Sequence, residues 1–237
     1  MANILKFMAE NFIHVFPIVL AGAIGLIIAV ERSIALMWSY PIGAFEGFFD
    51  HVRLLIMKDR IPEAIALCER MREKPIARVV REGLMRANQP EQLIEHGLHI
   101  AVSEATDRIQ ARTPFLGTIA NVATLFGLLG TIIGLVQSFE AVGAASAANR
   151  SAMLANGIST AMNATMMGLG VAIPCMIAFS YLSSRSNRLV SQVDQAAVRT
   201  LDLLQQRYFR AHESPTDQAE ESSFNVITQQ RSHKGAV

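Results

Sequence analysis

From Thr113 to Leu182 the chain runs for seventy residues with two charges, Glu140 and Arg150. About a quarter of the residues in a soluble domain are charged, so this stretch is not a water-facing surface. A hydrocarbon core of roughly 30 Å takes about 20 helical residues. Thr113–Phe139 offers 27 uncharged residues and Ser151–Ser184 offers 34, so each is long enough to span. The gap 140–150 is short, which predicts a tight antiparallel hairpin. A third uncharged stretch, Phe12–Val30, has 19 residues. Ala21-Gly22-Ala23 mimics a signal-peptide cleavage site, but Ile24–Val30 stays apolar beyond it and Lys6 is the only preceding basic residue. The stretch is therefore expected to persist as a helix.

Composition sharpens the division. The chain is 51% hydrophobic and 17% charged with a net charge of +1, which excludes a strongly basic nucleic-acid binder. Residues 41–112 hold 22 charges and 183–237 hold 13. Arg32, Arg108, Arg112, Arg185 and Arg188 flank the spans on one side, against Lys6 and Arg150 on the other. The positive-inside rule then predicts residues 39–112 and the C-terminal tail in the cytoplasm and the N-terminus outside. Trp38 and Tyr40 fall at the inner interface. Glu31 and Arg32 are interfacial as well. Neighbours on a helix point about 100° apart, so these two are expected to pair with other residues rather than each other. Cys68 and Cys175 lie in different environments, which argues against a disulfide.

The charged regions read as helices. Pro41, Pro62, Pro75 and Pro90 each precede a helical pattern, where a missing N–H is harmless. Ala64, Ile65, Cys68 and Met71 recur at helical spacing, as do Val79, Val80, Gly83 and Leu84. Ile94, Leu98, Ala101, Val102, Ala105 and Ile109 form a longer apolar stripe leading into the second span. Past the third span, Leu189, Val193, Ala196, Ala197, Thr200, Leu203 and Leu204 continue a stripe to about Phe209. That predicts one rod of roughly 57 residues, ~85 Å long. The expected organisation is 1–40 with the first span, 41–112 as a cytoplasmic helical region, 113–182 as the hairpin, 183–210 as a cytoplasmic extension and 211–237 as a disordered tail. The fold class is an all-α membrane protein: three transmembrane helices, long cytoplasmic extensions and a small cytoplasmic helical bundle.

Polar side chains inside a span face protein or water, so they mark where chemistry belongs. The second span carries Thr118, Asn121, Thr124, Thr131, Gln137 and Ser138. Thr124, Thr131 and Ser138 recur every seven residues and share a side of the helix. Gly127, Gly130 and Gly134 offer small surfaces for helix packing. The third span carries Ser159, Thr160, Asn163 and Thr165, then Gly168, Gly170 and a kinking Pro174. No Asp, Glu, Lys or Arg lies within the uncharged cores of the spans. Hydroxyls do not ionise near neutral pH, so any ion that moves here needs an ionisable group from another chain. His96 and His99 are spaced i, i+3 without further ligands of a zinc site. No phosphate loop, nucleophile elbow or catalytic carboxylate pair is present, so neither an enzyme nor a cofactor is indicated.

These residues resemble a known family. Asn121–Leu135, NVATLFGLLGTIIGL, and Gly157–Pro174, GISTAMNATMMGLGVAIP, are similar to the second- and third-span signatures of the MotA/TolQ/ExbB proton-channel proteins. Glu63–Leu84, EAIALCERMREKPIARVVREGL, and Val30-Glu31-Arg32 fit as well, and three spans resemble the TolQ/ExbB branch. The resemblance implies a pentamer around a dimer of a single-span TolR/ExbD-like partner whose membrane helix carries an aspartate. It implies that protons pass that aspartate beside Thr131 and Thr165, with Thr160, Asn163 and Thr124 as further candidates for the path. It also implies that proton-driven rotation transmits force to the cell envelope for transport, maintenance or surface motility. Well-known members carry glutamate where Thr160 stands, and often proline where Thr124 stands. The competing reading is a non-conducting membrane scaffold that recruits partners through its cytoplasmic helices. A small-molecule transporter is a third class, weakened by the small number of spans and the lack of an inverted repeat.

Overall fold

The computed structural model describes residues 12–41, 45–144, 146 and 148–234, with side chains described from Phe16 to Arg210 apart from Ala144. Lys6 lies outside the described residues. Among those described, the regular structure is entirely helical. The α-helices are α1 (Phe12–Ile34), α2 (Phe45–Met57), α3 (Ile61–Arg70), α4 (Pro75–Met85), α5 (Glu91–Gln110), α6 (Thr113–Ala144) and α7 (Arg150–Lys234), with a π-helical turn at Ala35–Ser39 after α1. Three segments are long and apolar enough to cross a membrane: Phe16–Ser39, a stretch within Glu91–Gly143, and one within Arg150–Arg210. The chain is an all-α membrane protein with three spans.

The helices group into two compact units, one of residues 1–40 and 108–189, the other of residues 41–107 and 190–237. In the first, α1, α6 and the first part of α7 pack through small residues. Gly25 takes a position where a Cβ would stand 2.8 Å from Cys175 Sγ and 3.3 Å from Ile119. Gly22 does the same against Val171 at 3.1 Å. Ala120, Ala123, Ala172 and Cys175 form a buried cluster with Ile119 and Val171 against it. Lipid offers little hydrophobic gain between helices, so close approach over such small side chains supplies the attraction through dispersion. The outward sides are large and apolar, including Leu26, Ile27, Leu125, Ile132, Met162 and Ile177.

At the end of α1 the charged pair divides as expected. Glu31 accepts from Arg112 at 2.6 Å, and Arg32 donates through Nη1 to the Arg108 carbonyl at 3.4 Å. The direct Glu31–Arg32 separation is a looser 3.9 Å. Arg32 is 5% exposed, so it is buried against the α5–α6 corner rather than extended to the surface. Arg112 forms that corner with a φ of 62°, in the left-handed region that costs a non-glycine residue roughly 1 kcal/mol or more. Its ion pair with Glu31 holds the guanidinium over the end of α1.

In the second unit much of each apolar stripe read from the sequence is buried, together with a face of α2. Val52 and Ile56 of α2, Ala64 and Cys68 of α3, Val79, Val80 and Leu84 of α4, Ile94, Leu98, Ala101 and Ala105 of α5, and Val193, Ala196, Thr200, Leu203 and Leu204 of α7 are all buried. Pro75 opens α4, Pro62 sits in the first turn of α3, and Pro90 directly precedes α5. Arg199 bridges to Glu46 at 2.8 and 3.2 Å and lies 5.3 Å from the centre of the Phe45 ring. Arg207 reaches Asp59 at 2.7 Å.

Pro174 lies within a continuous α7, so it removes one helical hydrogen bond without ending the helix. One detail differs from the sequence reading. The backbone of 211–234 is helical, where composition predicted a disordered tail from 211 to 237. Gln218, Ala219, Glu220 and Glu221 are helix-favouring residues, which weigh against the breaking effect of Pro215. Residues 235–237 lie outside the described residues.

Candidate functional site: the seam between the second and third spans

The hairpin brings α6 and α7 together along a line of glycines and alanines. A Cβ at Gly168 would stand 2.7 Å from the Ala123 carbonyl and 2.8 Å from Gly127 Cα. One at Gly130 would stand 2.6 Å from Ala164 Cβ, and one at Gly134 would stand 3.2 Å from Ala161. Farther along, Gly157 leaves room for Ser138, whose hydroxyl would collide with any side chain there. Each step along α6 is matched by a step backwards along α7, as an antiparallel pair requires. Gly127, Gly130, Gly134 and Gly168 are thus packing residues within one chain. Gly170 is not: it is exposed, and a Cβ there would meet nothing within 4 Å. Its position on α7, two residues past Gly168, turns it away from α6. Pro174 is likewise exposed.

Close approach positions the hydroxyls. Thr165 Oγ1 donates across the seam to the Gly127 carbonyl at 3.3 Å. Thr131, one turn beyond Gly127, is half-buried and donates to the Leu128 carbonyl at 2.6 Å. The seam therefore sets Thr131 and Thr165 at neighbouring levels of the two spans. Thr160 is half-buried and bonds to the Asn156 carbonyl at 3.0 Å, and Asn163 is half-buried one turn further on. Thr124 is exposed and bonds back to the Ala120 carbonyl at 3.0 Å. Ser138 is buried and donates to the Gly134 carbonyl at 2.5 Å.

In each of these bonds the hydroxyl proton is directed at a carbonyl, which leaves oxygen lone pairs free to accept. Such a group can receive a hydrogen bond from water or from an acid. It cannot release a proton by ionising near neutral pH. The arrangement can line or shape a polar path, and the hydroxyls themselves do not carry charge.

The sequence singles out Thr131 and Thr165 as candidates but does not show the Thr165–Gly127 bond, which depends on the register of two helices. Nor does it show the Ser138–Gly157 contact or the burial of Arg32. The i, i+7 spacing of Thr131 and Ser138 was the available signal for the former. His96 and His99 are both exposed on α5.

Residues 71–195 match the model of the MotA/TolQ/ExbB proton channel family. The Tol-Pal system protein TolQ of Haemophilus influenzae is 36% identical over 103 residues, covering 42% of this chain and 45% of that protein. The TolQ of Pseudomonas aeruginosa is 33% identical over 99 residues, covering 42% of each. The ExbB-like 3 biopolymer transport protein of Synechocystis is 30% identical over 166 residues, covering 69% of this chain and 77% of that protein. The chain thus spans less than half the length of the two TolQ relatives. The matched stretch contains the whole α6–α7 seam with Gly127, Thr131, Thr165 and Gly168. On these grounds the chain belongs to the MotA/TolQ/ExbB proton channel family.

Proposed function

We propose that this chain is the channel subunit of a proton-motive-force-driven motor in a bacterial inner membrane. Copies of it, five in our reading, surround a dimer of a single-span TolR/ExbD-like protein whose membrane helix supplies an aspartate. Thr131 and Thr165 flank the path of the proton, with Thr160, Asn163 and Thr124 beside it. Residues 39–112 and the C-terminal end face the cytoplasm and the N-terminus faces the periplasm. The observation that carries this reading is a seam of hydroxyls at matched levels, in spans whose uncharged cores hold no Asp, Glu, Lys or Arg. Each proton crossing would deliver about 2.3 kcal/mol per 100 mV of membrane potential.

The scaffold reading has its own support. Thr131, Thr124 and Thr160 all bond to carbonyls of their own helices, which is what hydroxyls do when they only satisfy packing. Thr131→Val and Thr165→Val decide between the two. They are near-isosteric, and each is expected to lower partner-dependent proton flux in liposomes at least tenfold while the complex still assembles. Thr165→Ser, which keeps the donor to Gly127, should retain flux. Full flux from both valine variants would leave the scaffold reading standing.

A further inference from the structure

One open face of the α6–α7 hairpin carries a succession of polar side chains. The other face is taken by α1, where Gly25 meets Ile119 and Cys175 and Gly22 meets Val171. At about 100° per residue, Thr124 and Thr131 of α6 and Thr165 of α7 all turn to the face opposite α1. Asn121 of α6 falls on that face too, with Ser180 and Ser183 of α7. Thr118, at a similar depth, points away from the seam and lies off it. Asn121 and Ser180 are exposed and Ser183 is half-buried, and their side chains form no hydrogen bond among the described residues.

The register of the hairpin orders these groups by depth. Gly134 faces Ala161, Gly127 faces Gly168 and Gly117 faces Phe179, one step forward on α6 for one step back on α7. Asn121 is then level with Pro174, Ser180 with Phe115 and Ser183 with Arg112. From the Thr131–Thr165 pair towards Arg112 and Arg185, the series runs Thr124, Asn121, Ser180, Ser183, at intervals of about 4–10 Å. Leu128 and Leu169 interrupt it just inside the threonine pair, both exposed on the same face. Towards the 140–150 turn the face is apolar, with Leu135, Phe139, Ile158 and Met162 exposed.

A polar group left unbonded in hydrocarbon costs several kcal/mol. A single aspartate at one depth cannot satisfy groups spread over about 18 Å of two helices. Water can, since each molecule bonds about two to four polar neighbours. We infer that this face bounds a water-filled vestibule, open on the side where Arg112 and Arg185 lie, that reaches Asn121 and Thr124 and closes at Leu128 and Leu169. The inference rests on the proposed proton path and describes its inner half. The partner's carboxylic acid returns to carboxylate as it hands its proton to vestibule water, and the apolar outer part of the face keeps the two aqueous sides apart.

Cysteine labelling in the full complex tests it. In a Cys68→Ala, Cys175→Ala background, single Asn121→Cys, Ser180→Cys, Thr118→Cys and Ile177→Cys variants are treated with a quaternary-ammonium methanethiosulfonate that does not cross membranes, in vesicles exposing the Arg112 side. Asn121→Cys and Ser180→Cys should react roughly tenfold or more faster than Thr118→Cys and Ile177→Cys, because a thiol in water ionises to the reactive thiolate. The cation fixed at position 121 should then lower partner-dependent proton flux roughly tenfold. Native mass reports assembly, and Ser183→Cys replaces either vestibule variant that fails to assemble. Equal reaction at all these positions, or none at 121 and 180, would overturn the vestibule and leave the proposed function standing. Reaction in the chain alone that the partner abolishes would do the same, because a partner helix would then fill the face. Absence of flux from the unsubstituted complex would remove the proposed function, and the labelling pattern would still decide the vestibule.

Discussion

At the scale of the residue, the seam is decided by side chains that are missing. A methyl at Gly168 would press on the Ala123 carbonyl and Gly127 Cα, both backbone atoms that cannot rotate away. Gly168→Ala is therefore expected to destabilise the detergent-solubilised chain by about 1–3 kcal/mol, the usual range for overpacking. Gly143→Ala is the control, because nothing stands within 4 Å of that position. Similar melting temperatures for the two variants would mean that the seam is looser than its geometry. Cys68 makes a second residue-scale case. Burial pushes its thiol up to about 12, with a smaller upward push from Glu69 and a downward one from Arg81. At pH 8 it should react with an alkylating reagent at least ~100-fold more slowly than a peptide thiol, as followed by mass spectrometry. The folded state keeps the thiol neutral while the unfolded chain ionises from 9.0 upward. Its contribution to stability is thus complete below that pH and declines as pH rises towards 12.

At the scale of the element, α5 carries the central stripe of the second unit. Leu98 is 3% exposed and lies against Gly83, where a Cβ would approach it to 2.8 Å. Leu98→Ala should cost about 2–5 kcal/mol in thermal or denaturant unfolding, since the tight α4 contact limits collapse into the cavity. The Glu46–Arg199 pair between α2 and α7 acts at the surface. The Arg199 hydrogen bond holds the Glu46 carboxyl below its ordinary value. Its support is present above pH 4.5 and lost as pH falls, so Glu46→Gln should flatten part of the acid-side decline in melting temperature. These elements were largely legible beforehand, because loss of charge marks a span and 3.6-residue periodicity marks a buried face. Phe12–Val30, Thr113–Phe139 and Ser151–Ser184 fall inside α1, α6 and α7. Their ends were less legible, because leaving the hydrocarbon does not stop a helix and Arg185 is as good a helix former as Leu182. The pairing of Thr165 with Gly127 was hidden for a different reason. It joins residues 38 apart, and the length of the 140–150 turn does not determine their register.

At the scale of the whole molecule, the chain divides its charge between two units with different solvents. Unit one takes the stretch with two charges, and the second takes most of the 22 charges of residues 41–112. The consequence for function lies in the spans, which provide hydroxyls and a close-packed frame but no acid. In the motor we propose, a second protein brings the acid to Thr131 and Thr165. Proton flux into liposomes holding this chain, alone and with a single-span partner carrying a membrane aspartate, tests that claim most directly. The account predicts background leak from the chain alone, flux with the partner, and loss of flux when the partner's aspartate is replaced by asparagine. Equal flux with and without the partner would contradict it.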